Sequence, residues 1–226
     1  MGSAGLTTVR RRIDEAARRV GRSPDDVRLL VVSKGRTNDA VRALYNAGQR
    51  AFGENRPAGL VERVEGHLPA DIEWHFVGTV QRRAIKTIAP SIVLLHSLDR
   101  LKLADAWARL DEPPPVLIEV NIAGEPQKHG FAPCDVPVAA DHLVSGGVDV
   151  RGLMAIPPRV DRAEQARPWF AALRMLGEEL QAEHPGAVEL SMGMTDDFDV
   201  AVEEGASIVR VGRAIFEHDD REEPGD

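Results

Sequence analysis

Apolar positions along this chain switch between two spacings, and the switching is regular. Leu6, Val9, Ile13, Ala16, Ala17 and Val20 share one face at helical spacing, and the run stops at Gly21, which predicts a leading helix. Val27–Ser33 is a short, β-branched apolar run, the pattern of a strand buried on both faces. Asn38 is placed to cap a helix whose inner face is Val41, Leu44 and Tyr45 and whose end is Gly48. The alternation then repeats. Further strands are predicted at residues 50–53, 73–77, 91–96, 116–122, 148–156, 188–191 and 207–211. Helical patterns separate them, one carrying Leu103, Trp107 and Leu110, another running from Ala166 to Leu180. Pro168 lies inside the second, so its first turn is expected to be short or kinked.

Strands alternating with helices predict a parallel sheet. No Gly-x-Gly-x-x-Gly follows the first strand, so the expected fold is α/β, a single closed (β/α)8 TIM barrel with the helix in front. An open doubly wound sheet is the alternative. The barrel is expected to occupy residues 1–216, and the acidic stretch 217–226 is expected to be disordered.

Composition narrows the function. A net charge of −8 argues against a general nucleic-acid binder. No run of 18 apolar residues occurs, so no membrane span is expected. The first residues lack a basic region followed by an apolar stretch, and the single cysteine, Cys134, has no internal partner; a cytoplasmic protein is expected. Of the 28 basic residues four are lysines: Lys34, Lys86, Lys102 and Lys128. Arginine cannot form a Schiff base and lysine can, so these four are the candidate amine nucleophiles.

Barrels of this type carry their chemistry at the C-terminal ends of the strands. That rule selects Lys34 after the first strand, Asn55 after the second, His75 and Gly78 at the third, Asn121 at the fifth, and Met154 and Pro157 at the sixth. It also selects Ser191–Asp197 after the seventh strand and Gly212 with Arg213 after the eighth. The last two segments sit where such barrels often hold a phosphate. Ser191 to Asp197 offers hydroxyls and a flexible Gly193, then enters a helix that Thr195 or Asp196 would cap. Gly212 permits close backbone approach and Arg213 adds charge. Two ordinary strand-to-helix turns are the competing reading. A lysine after a strand is most often a solvated charge, and a reactive role asks for a desolvated or cationic setting. Closure makes the first and eighth strands neighbours, so a phosphorylated aldehyde would bridge Lys34 and the phosphate turns.

These residues resemble the pyridoxal phosphate homeostasis proteins, the YggS/PROSC family. The resemblance is carried by Val31–Lys34, Ala47–Asn55, Glu73–Gly78, His96–Asp99, Val120–Ile122, Arg151–Pro157, Leu190–Asp197 and Val209–Phe216. It implies the barrel of the alanine racemase N-terminal domain, with pyridoxal 5'-phosphate (PLP) held as a Schiff base on Lys34. It implies phosphate contacts at Ser191 and Met192 and at Gly212 and Arg213, and places Arg210 near the pyridine nitrogen. Asn55 and His75 match positions near the cofactor; His75 reads equally as a core histidine. The implied role is a PLP carrier in homeostasis without turnover, a monomer or weak dimer that serves PLP-dependent apo-enzymes. The chain departs from the family at Arg213, where Ser or Thr is usual, at Gly35, and at Arg82-Arg83-Ala84 on the cofactor rim. A second PLP site at Lys128 or Lys86 stays open. Two enzymatic readings compete. A racemase needs an acid/base on each face of the substrate carbon, and the single tyrosine, Tyr45, is predicted on a helix core face. A Schiff-base aldolase on a sugar phosphate would share the lysine and the phosphate turns.

Overall fold

The computed structural model describes residues 3–216. The stretch 217–226, expected to be disordered, lies outside the described residues. Strands β1 (Arg28–Val32), β2 (Ala51–Glu54), β3 (Glu73–Phe76), β4 (Leu94–Leu98), β5 (Val116–Val120), β6 (Val150–Ala155), β7 (Glu189–Ser191) and β8 (Ile208–Val211) form a closed barrel in chain order. Every pairing is parallel, and β1 closes the ring by pairing Arg28–Val31 with Ile208–Val211.

The two-residue period of the strands sorts their side chains. Leu30, Ala51, Leu94, Leu117, Met154 and Ile208 form an inner cluster. Alternate residues such as Val31, Phe52, Phe76, Leu95, Ile118, Leu153 and Val209 join the outer core, where the helices pack. Those helices are α1 (Ser3–Arg19), α2 (Asn38–Asn46), α3 (Pro57–Glu65), α4 (Ile85–Ile88), α5 (Leu101–Trp107), α6 (Val136–Ser145), α7 (Arg167–Glu183), α8 (Phe198–Glu203) and α9 (Arg213–Phe216). The leading helix α1 buries Leu6, Val9, Ile13, Ala16 and Ala17 and packs on α8 and α9. No helix among the described residues is long and apolar enough to cross a membrane.

Several local expectations change. Thr37, not Asn38, caps α2: its hydroxyl accepts the Ala40 N–H at 3.2 Å, and Asn38 becomes the first helical residue. β4 starts at Leu94 rather than Ser91, because Pro90 stands in a short 3-10 turn over Ala89–Ser91. Pro168 sits in the first turn of α7, where its missing N–H has no intrahelical acceptor to lose, and the helix runs on to Glu183 as one element. Asp197, not Thr195 or Asp196, is the N-cap of α8, and its carboxylate accepts the Met194 N–H at 2.7 Å.

Candidate functional site

The turn after β1 carries Lys34, and buried groups hold that turn from below. The Ser33 hydroxyl donates to Glu54 at 2.8 Å. Arg63, projecting from α3, pairs with Glu54 at 3.0 Å and donates to the carbonyls of Ser33 at 3.0 Å and Arg36 at 2.5 Å. The backbone on both sides of Lys34 is therefore fixed, while the Lys34 side chain is exposed. Among the described residues its amine makes no hydrogen bond or ion pair. The Lys128 amine contrasts with it, pairing with Glu125 and donating to the carbonyls of Ile156 at 3.3 Å and Pro157 at 3.0 Å. Lys86 is exposed on α4.

Beside Lys34 lies the turn after β8. A Cβ on Gly212 would stand 2.9 Å from the Val32 carbonyl oxygen, so glycine is what lets this turn approach the end of β1. Arg213 is exposed and pairs with Asp196 at 2.6 Å, tying the turns after β8 and β7 together. In the β7 turn Gly193 takes φ +86°, and a Cβ there would lie 2.5 Å from Ala201. Met192 is different: its side chain is buried in the outer core and its N–H already donates to Ile208 at 3.1 Å.

Among the apolar inward positions below the mouth stand several polar ones. Arg210 donates to the Ser191 carbonyl at 2.7 Å, the Ser191 hydroxyl at 2.6 Å and the Ala155 carbonyl at 3.0 Å. Its Nε–H has no acceptor among the described residues. Burial pulls its pKa down to about 10, with Glu119 and Asp197 opposing from a distance. His96 Nδ1 lies 2.8 Å from the Ser191 hydroxyl, and His96 Nε2 lies 2.9 Å from His75 Nδ1. Both rings are buried. Burial, with Arg28 adding to it, lowers the His75 pKa to about 3, and burial holds His96 well below the usual imidazole range. Glu119 on β5 is half-buried; burial first, then Asp99, push its pKa up to about 7. Asp99 pairs with Arg100 and lies 3.4 Å from His129.

Thus Lys34, Ser191, Gly212 and Arg213 come to one end of the barrel, with Asn55 half-buried after β2. Arg210 and His75 lie inside the barrel, and Met192 faces away. Arg82 and Arg83 are exposed in a 3-10 turn, and Ala84 is buried. His96, Asp99 and Glu119 are not among the residues that position after a strand selects from the sequence. His96 and Glu119 carry another signal: a polar residue within an apolar strand run, at the inward register, marks a group the barrel interior must accommodate, whereas Asp99 lies just beyond β4 and has no such pattern.

No family model matches the chain. The pyridoxal phosphate homeostasis protein of Aquifex aeolicus is 41% identical over 217 residues, covering 93% of this chain and 95% of that protein. The chain belongs to the pyridoxal phosphate homeostasis protein family. Among solved structures of similar sequence, PipY of Synechococcus elongatus with PLP bound superposes at a TM-score of 0.77 with 33% identity, covering 90% of this chain and 99% of PipY. Alanine racemase of Corynebacterium glutamicum shares the fold alone: TM-score 0.69, 14% identity, 93% of this chain but 61% of the racemase. The family member described here therefore has the racemase-type barrel over its described residues.

Proposed function

We propose that the protein holds PLP at the C-terminal mouth of its barrel and serves as a cytoplasmic carrier in PLP homeostasis, passing PLP to PLP-dependent apo-enzymes without turning over amino acids. The observation that carries the reading is Lys34: an amine without a partner among the described residues, on a clamped turn, beside the close-packed turn at Gly212. PLP, when bound, supplies an aldehyde that a lysine amine can capture with loss of water and a phosphate that backbone N–H groups can hold.

The residues present fit that group. The α9 N-terminus at Arg213 and the loop after Ser191 leave donors for a phosphate, since first-turn N–H groups have no intrahelical acceptor. Asn55 after β2 would line the same mouth, His75 would lie deeper in the barrel interior, and Met192 contributes as the residue that seats the β7 loop in the core. Arg210 presents an Nε–H, and a guanidinium only donates. A ring nitrogen facing it stays unprotonated, which weakens the ring as an electron sink and favours carriage over carbanion chemistry. Against a racemase, the Tyr45 hydroxyl bonds Asp71 at 2.6 Å, just before β3 and so at the opposite end of the barrel from Lys34.

The test is direct. The purified protein incubated with PLP should turn yellow, borohydride should bleach the band, and peptide mass spectrometry should find the reduced adduct on Lys34. A protein that stays colourless, or an adduct confined to other lysines in the wild type, overturns the proposal.

A further inference from the structure

We infer that His96 is the positioning residue of Arg210, acting through the Ser191 hydroxyl in a hydrogen-bond chain that runs one way from Arg210 to His75. The chain spans β8, β7, β4 and β3 across the barrel interior, and its direction follows from one fixed fact. A guanidinium can only donate, so the Ser191 oxygen accepts from Arg210 at 2.6 Å.

Two arrangements of the remaining protons are then consistent with neutral rings. In the first, Ser191 donates to His96 Nδ1 at 2.8 Å, His96 Nε2–H donates to His75 Nδ1 at 2.9 Å, and His75 carries its proton on Nε2. One buried group is left without a partner among the described residues, the His75 Nε2–H. In the second, the Ser191–His96 and His96–His75 bonds both reverse while Arg210 still donates to Ser191. The Ser191 hydroxyl then accepts twice and its own proton has no acceptor, while His75 Nε2 is a bare buried lone pair. That leaves two unsatisfied groups, where the first arrangement leaves one. It also turns an N–H dipole toward a buried cation. The first arrangement wins on both counts.

Ser191 is thereby committed to the interior. Its proton goes to His96 and its lone pair to Arg210, so its hydroxyl orients the guanidinium, and the phosphate falls to the backbone of the neighbouring turns. His96, with its lone pair fixed at Nδ1, holds that hydroxyl in place. The functional consequence rests on the proposal that Arg210 faces PLP; the proton arrangement does not.

The experiment has two arms. In the protein without PLP, 15N NMR of the histidines should show His75 and His96 as neutral Nε2–H tautomers, still neutral at about pH 5. An Nδ1–H tautomer or an imidazolium at His96 overturns the inference whatever PLP does. In the second arm, His96→Gln retains one acceptor and one donor at the ends of a planar amide, and His96→Leu retains neither. With PLP, the glutamine variant should keep the visible spectrum and retention of the wild type. The leucine variant should lose PLP on dialysis about ten-fold faster, with a shifted band. Ser191→Ala, which cuts the same link without altering a histidine, should reproduce that shift. Weaker retention of Ser191→Ala with an unshifted band would assign its hydroxyl to the phosphate and overturn the inference, as would equal behaviour of the glutamine and leucine variants. A wild type that takes no PLP at Lys34 would defeat the carrier proposal and leave the tautomer result standing.

Discussion

At the scale of single residues, the barrel interior holds groups whose protonation works in opposite directions. His75 has a folded pKa near 3 against an ordinary 6.5. Between those values the unfolded chain binds a proton that the folded chain lacks, so His75 lowers stability as pH falls through that window. His96 acts in the same sense. Glu119 is raised from 4.5 to about 7. There the folded chain keeps a proton the unfolded chain has released, so its contribution is lost as pH rises from 4.5 towards 7. Two outcomes are expected from melting curves across pH. Glu119→Gln should gain on the wild type as pH rises from about 5 to about 8, where a constant difference would count against the assignment. His75→Gln should show a shallower decline in melting temperature on the acid side than the wild type does.

At the scale of elements, the Lys34 turn is held by its neighbours rather than by its own sequence. Glu54 and Arg63 are only 2% and 3% exposed, so their pair is buried, and it reaches the backbone on both sides of Lys34. Removing one partner leaves an uncompensated buried charge, which costs about 3–5 kcal/mol. Arg63→Met should therefore destabilise by about that much and slow PLP capture, while Arg63→Met with Glu54→Gln should recover part of the stability. Denaturant titrations of the single and double variants check this; an additive double variant would mean the two groups do not act as a pair. Periodicity made the strand-helix alternation legible, but the clamp joins residues from β2, α3 and the β1 turn, and no local pattern reports such a meeting. The ends of elements were also the weak point. Thr37 displaced Asn38 as a cap because Asn38 instead accepts from Arg63 at 2.5 Å, a tertiary demand.

At the scale of the whole molecule, the closed ring decides which residues can act together. It brings β1 beside β8, and so Lys34 beside Gly212 and Arg213, residues almost the length of the chain apart. It also separates Lys34 from Tyr45, since α2 runs back down the barrel and leaves the tyrosine at the far end. With no second acid/base at the mouth from Tyr45, alanine in heavy water should exchange its α-proton no faster with the PLP-loaded protein than with free PLP. Rapid exchange, followed by proton NMR, would restore the racemase reading.

The amino-acid sequence by itself determined the alternation of elements, the α/β class, and the placement of Lys34, Ser191 and Gly212 at the C-terminal ends of strands. Those are legible because hydrophobic period, glycine and position after a strand are properties of short stretches of chain. Only the tertiary structure decided that the Ser191 hydroxyl turns inward to Arg210 and His96, that Met192 is spent in the outer core, and that Arg63 holds the Lys34 turn. Each of those depends on which buried donor finds which acceptor across different strands, and that pairing exists only once the ring has closed.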